Sequence, residues 1–200
     1  MPSRSLTAPR RIPQQKRGQR RVAGLLDAAA GVMAETGYQA TTMCAIAERA
    51  GSSIGSLYQF FPNKEAVAEE LRGQYVKELE RLWATLAREA AALPAGDLVD
   101  RLIESQIRFA EAHPAFLALL DAPPTRNTLR RRELIRTRIA RVILIRKPDM
   151  PRSKAFRSAA VVQQIVRGLL TLYARADKGE KSAMLEEFKA VLTGYLAPQW

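Results

Sequence analysis

TMCAIAERAGSSIGSLYQFFPNK, residues 42–64, reads as two short helices joined by a tight glycine turn and followed by the start of a third. Thr42 stands at the start of the first helix as a hydroxyl cap, and Ile46, Ala47 and Ala50 fall on one side of it, which suits a short helix packed on a neighbour. Gly51 ends it. Ser53 caps the second helix, whose Ile54 and Leu57 are expected to turn inward. That leaves Gly55, Ser56, Tyr58 and Gln59 on an uncharged polar face. Two helices separated by a turn of three or four residues have helix-turn-helix geometry, in which the second helix enters the major groove of DNA.

The order Ala47, Ala50-Gly51, Ser53, Gly55, Leu57-Tyr58, Phe61, Asn63-Lys64-Glu65 closely resembles the signature of the TetR family of transcriptional repressors. The resemblance covers about residues 20–70. Ser52 departs from it, standing where the family has a small apolar residue, and either softens the packing of the turn or adds a phosphate contact. The family implies an all-α fold: an N-terminal three-helix helix-turn-helix domain and a C-terminal helical domain for ligand binding and dimerisation. By position it implicates Ile54, Gly55, Ser56, Tyr58 and Gln59 at base edges. Gln59 can pair two-point with adenine, and Ile54 can touch a thymine methyl. Thr41 and Thr42 can donate to phosphate at a helix N-terminus, Ser53 combines capping with phosphate contact, and Tyr58 and Lys64 grip phosphates. The plainer alternatives are that Thr42 and Ser53 are caps only, that Tyr58 is half-buried packing and that Lys64 is a solvated helix start. Phe60 and Phe61 read as core.

A net charge of +12 on 200 residues makes a polyanion, double-stranded DNA above all, the expected partner. Residues 1–21 hold seven basic residues and no acid, and residues 1–18, with Pro2, Pro9 and Pro13, read as a flexible basic arm. Such an arm either follows the phosphate backbone or minor groove, or serves only as a solubilising tail. Cys44 is the single cysteine, so no intramolecular disulfide can form. A small, buried or half-buried side chain is its ordinary reading, with a redox switch as the alternative. No apolar run approaches the ~18 residues that span a bilayer, and no secretory leader is evident. Cytoplasmic, nucleoid-associated residence is expected, without contact to a membrane.

Apolar residues recur at three- and four-residue steps over residues 19–36, ending at Gly37, to give the first helix of the DNA-binding unit, assigned to residues 19–65. Residues 66–200 form the regulatory and dimerisation domain. Asn63 caps a long linking helix bearing Val67, Leu71, Tyr75, Leu79, Leu82, Trp83 and Leu86, and breaks at Pro94–Asp97, His113-Pro114, Pro123-Pro124 and Lys147–Pro151 divide the remainder. Leu129, Leu134, Ile135, Ile139, Val142 and Ile143 are the apolar positions of the helix ending near Arg146. The last two helices, about residues 153–177 and 180–196, carry more apolar surface than one face needs. A homodimer through them is the reading the family implies, and burial within one chain the alternative.

In the family a small-molecule effector binds inside the C-terminal domain and moves the recognition helices out of register with the operator, a pseudo-palindrome. Trp83, Phe109, His113, Phe116 and Tyr173 are the candidate lining residues, with ordinary core packing as the competing reading. Residues 126–157 hold twelve basic side chains against Glu133 and Asp149. They form a solvated face, or else meet an anionic effector, a second stretch of DNA or an acidic partner. One histidine, one cysteine, no glycine-rich phosphate loop and no ligand cluster argue against an enzyme, a metal site or a cofactor. The sequence thus reads as a dimeric repressor released by an effector. The alternative is a ligand-independent or architectural DNA-binding protein using its basic arm and basic C-terminal segment.

Overall fold

The computed structural model describes the backbone of residues 12–199 and the side chains of residues 17–198. Every long regular element among them is an α-helix: α1 (Ile12–Ala40), α2 (Met43–Arg49), α3 (Ile54–Phe60), α4 (Lys64–Glu89), α5 (Ala95–Ala112), α6 (Pro114–Ala118), α7 (Arg126–Arg146), α8 (Arg152–Tyr173) and α9 (Lys178–Leu196). The all-α expectation holds. Of the expected arm, residues 1–11 lie outside the described residues, whereas 12–18 are already helical. Pro13 sits in the first turn, where its missing N–H has no partner to lose, and Gln14, Gln15, Lys16 and Arg17 are good helix formers.

Two glycines shape the N-terminal unit. Gly37 interrupts α1 at φ 76° and ψ 164°, a conformation closed to residues with a Cβ. Gly51, at φ 56°, ends α2 in a Schellman motif: its N–H bonds to Glu48 O, and Ser52 N–H bonds to Ala47 O. Thr42, Ser53 and Asn63 accept hydrogen bonds from the N–H groups of Ala45, Ser56 and Ala66 as the caps of α2, α3 and α4. The hydrophobic interior of this unit, around Leu26, Met33, Ile46, Leu57 and Phe61, continues along Val67, Leu71, Tyr75, Leu79 and Trp83 of α4 into the C-terminal helices. Helix α6 packs back against α1, giving the two halves a second junction beside α4.

Four expectations about burial are corrected. Ile54 is exposed, because the seven residues of α3 turn only Leu57 into the core; Phe60 is exposed while Phe61 is buried. Leu129 and Leu134 of α7 are exposed, since Ile139, Val142 and Ile143 face the interior. Cys44 is exposed on the outer side of α2, where Ile46 and Ala47 take the inner positions.

Candidate nucleic-acid interface and effector cavity

Leu57 is the buried side chain of helix α3, which presents Ile54, Gly55, Tyr58 and Gln59 to solvent. Tyr58 is 51% exposed, so the half-buried packing alternative is set aside. A Cβ added at Gly55 would meet no atom within 4 Å, so nothing among the described residues requires glycine there. Thr42 and Ser53 are exposed as well as being caps.

Arg21 of α1 was missed by the motif-based reading. Its guanidinium donates to Ser52 Oγ at 2.8 Å and to Ser56 Oγ at 3.0 Å, bridging the turn and the middle of α3. Of the two readings of Ser52, neither anticipated this internal partner. Arg21 belongs to the basic run of residues 1–21, at the start of the helix expected over 19–36, and that run is the signal the sequence carries for it. A similar clasp joins Arg49 to Glu35, with Gly31 leaving room for the guanidinium 3.1 Å from where its Cβ would stand.

Two expected phosphate contacts are internal instead. Thr41 is 2% exposed and donates to Gly37 O at 2.7 Å, answering a carbonyl freed by the break in α1. Lys64 Nζ donates to the carbonyl oxygens of Tyr38 and Gln39 and lies 4.6 Å from the centre of the Tyr38 ring. Its cation serves the carboxyl end of α1, where a positive charge is favoured.

In the C-terminal half, α4, α7 and α8, with Gln106 of α5 and Phe116 of α6, line a partly open cavity of about 390 Å3. Of the five candidate lining residues, Trp83 and Phe116 border it. Phe109, His113 and Tyr173 do not. Phe109 and His113 stack with Tyr75 and Phe116 in an aromatic cluster at centroid distances of 4.6–6.0 Å, and His113 Nε2 lies 3.2 Å from Glu78. Tyr173 is turned to α5, donating to Glu111 Oε1 at 2.7 Å; burial and that carboxylate push its phenol up to about 12. The basic segment divides accordingly. Arg126, Arg130, Arg138 and Arg141 are solvated, whereas Arg131, Arg132 and Arg136 line the cavity, which spacing alone did not separate.

The wall nearest α4 is knitted by charge. Glu69 is ion-paired to Arg131 and accepts from Thr125 Oγ1 at 2.7 Å; Arg72 donates to the carbonyl oxygens of Leu119, Ala122 and Pro123. Burial lowers the Arg72 proton affinity, and Glu69 opposes that shift.

Residues 25–71 match the family model of bacterial regulatory proteins, tetR family, and residues 93–196 match that of the tetracyclin repressor-like C-terminal domain, more than half of the chain. The chain belongs to the TetR family. The TetR-family regulator from Streptomyces coelicolor superposes with a TM-score of 0.65 at 25% identity, covering 90% of this chain and 99% of that one. FadR of Bacillus halodurans shares the fold with a TM-score of 0.66 at 17% identity, covering 87% of this chain and 95% of that one. In sequence, the chain is 38% identical over 78 residues to the transcriptional repressor KstR of Mycolicibacterium smegmatis, 39% of this chain and 36% of that protein. It is 30% identical over 111 residues to the transcriptional regulator YhgD of Bacillus subtilis, 56% of this chain and 57% of that protein. The matches thus span about a third to just over half of those relatives' length. No helix among the described residues of this TetR-family chain is long and apolar enough to cross a membrane, and no three metal-ligating side chains gather among them.

Proposed function

We propose that this TetR-family protein is a sequence-specific repressor that acts in the cytoplasm at the nucleoid. It binds a pseudo-palindromic operator as a homodimer and leaves it when a small molecule fills the cavity. Residues 19–65 read DNA and residues 66–200 sense and dimerise; the protein is not an enzyme. The observation that carries this reading is the free face of α3, where Ile54, Gly55, Tyr58 and Gln59 are exposed around a glycine that no internal contact demands. Gln59 and Ser56 read base edges, and Ile54, exposed, is free for a thymine methyl. Thr42, Ser53 and Tyr58 take phosphates.

The dimer reading rests on an apolar stripe that continues from α8 to α9. Val161, Ile165, Gly168 and Leu172 follow one another at steps of three and four, as do Met184, Phe188, Val191 and Tyr195. Val161, Leu172 and Val191 are 40%, 48% and 52% exposed, apolar positions aligned on one stripe that a partner subunit would cover. The switch reading rests on the position of α6: it packs on α1 while its Phe116 lines the cavity, so ligand pressure on Phe116 is delivered to the DNA-binding half.

Selection of genomic fragments bound by the full chain, followed by footprinting, tests the proposal. A short protected pseudo-palindrome with two half-sites about one helical turn apart supports it. Uniform coverage of any duplex would sink it in favour of an architectural DNA binder.

A further inference from the structure

Five arginines (72, 131, 132, 136 and 167) line the cavity, with Glu133 the single acid among the lining residues. Their partners divide them. Arg72 and Arg131 are consumed by backbone carbonyls and by Glu69, as part of the wall. Arg167 gives one N–H to Leu120 O at 3.1 Å. Among the described residues Arg136 meets only Glu133, at 3.2 Å, and its Nε is buried without an acceptor. Arg132 has no carboxylate within ion-pair reach among the described residues; burial, Arg167 and Arg72 all disfavour its charge. Facing them from α5 is Gln106, 4% exposed, whose Nε2 is buried with no acceptor. Unmatched buried donors on α5 and α7, and an uncompensated guanidinium, thus border one space.

The rest of that space is apolar: Tyr75, Leu79, Trp83, Ile139 and Leu170 form its floor. A small polar anion would leave this floor wet, and a plain hydrocarbon would leave the arginines uncompensated. A volume of about 390 Å3 falls in the range of small-molecule sites. The geometry points to an amphipathic organic anion as the effector: an apolar body over Trp83 and Leu79, and an oxyanion head, carboxylate or phosphate, taken by Arg132, Arg136 and the Gln106 amide. This rests on reading the cavity as the effector site. The oxyanion supplies acceptors to all three donor groups, and guanidinium suits either head because its N–H pairs match two oxygens of one anion.

Calorimetric titration of the full chain with decanoate, decyl phosphate, 1-decanol and inorganic phosphate tests the assignment. The two amphipathic anions are expected to bind at least tenfold more tightly than decanol, with the tighter of them identifying the head, and inorganic phosphate is expected not to bind measurably. Arg132→Gln should weaken decanoate at least tenfold and leave decanol unchanged; Gln106→Leu should weaken decanoate severalfold. Should either variant fail to fold, the salt dependence of decanoate binding to the unaltered chain carries the test, a flat response counting against the anion. Decanol binding as tightly as decanoate, absence of binding by both anions, or unaltered affinity in folded Arg132→Gln would overturn the assignment. Release of the selected DNA fragment is measured separately. Decanoate that binds without releasing DNA leaves the ligand class standing and removes the effector reading; release by decanol alone does the reverse.

Discussion

Lys64, the first residue of α4, donates from Nζ to the carbonyl oxygen of Tyr38 at 2.8 Å while its ammonium lies over the same residue's ring. One cation therefore ties the start of the linking helix to the end of α1. A lysine at a helix N-terminus is electrostatically unfavourable, and an anion such as DNA phosphate is one way to offset that. Here the freed carbonyls beyond Gly37 do so. Lys64→Met should lower unfolding stability by about 1–3 kcal/mol, the scale of a charge-assisted hydrogen bond. It should leave the slope of log DNA affinity against log salt unchanged; a slope reduced by about one would restore Lys64 as a phosphate contact.

Gly55 separates folding from recognition. Because a Cβ there meets only open space, Gly55→Ala should be tolerated or should stabilise the chain by up to about 1 kcal/mol, through the better helix propensity of alanine. DNA affinity should nonetheless fall at least tenfold, since the added methyl stands between α3 and the groove. Thermal melts and gel-shift titrations of the same preparation check both halves, and unchanged affinity would remove α3 from the interface.

Arg21 holds Ser52 and Ser56 from outside α3. Arg21→Ala is expected to cost little stability, because the contact is exposed, and to relax discrimination at the base pair Ser56 meets, as the hydroxyl loses its fixed orientation. Comparing bound-sequence profiles of the two proteins is the check. Identical profiles would make Arg21 a bystander.

The phenol of Tyr173 gives a stability prediction with a definite sign. Its proton is held more tightly in the folded chain, up to about 12 against an ordinary value of 10, chiefly by burial and then by Glu111. The contribution is therefore complete below about pH 10 and is lost as pH rises from there toward 12. Tyr173→Phe should be less steeply destabilised than the unaltered chain across that interval. Parallel slopes in denaturant titrations at pH 9, 10 and 11 would contradict the assignment.

The stripe on α8 and α9 predicts that Ile165→Asp combined with Phe188→Glu yields folded monomers. Both side chains are only partly buried in the single chain, so the change strikes association before it strikes the core. Sedimentation velocity distinguishes the outcomes, and an undisturbed dimer would place the interface elsewhere.

What residue order alone determined was local. Hydroxyl and amide caps at Thr42, Ser53 and Asn63, and the glycine at 51, act within three or four residues of themselves, so the starts of α2, α3 and α4 and the helix-turn-helix spacing were readable before any contact was known, whereas the start of α1 and the end of α8 were not. Tertiary structure decided which of two competent partners a side chain meets. Thr41 and Lys64 had the right chemistry for phosphate, yet the break in α1 put carbonyl oxygens nearer; Phe109, His113 and Tyr173 had the right aromaticity for a cavity, yet Phe109 and His113 stack on one another and Tyr173, on α8, turns to Glu111 of α5. Periodicity gives the face of a helix but not what covers it, and so Arg131, Arg132 and Arg136 became a cavity wall only once α4 and α8 closed around α7.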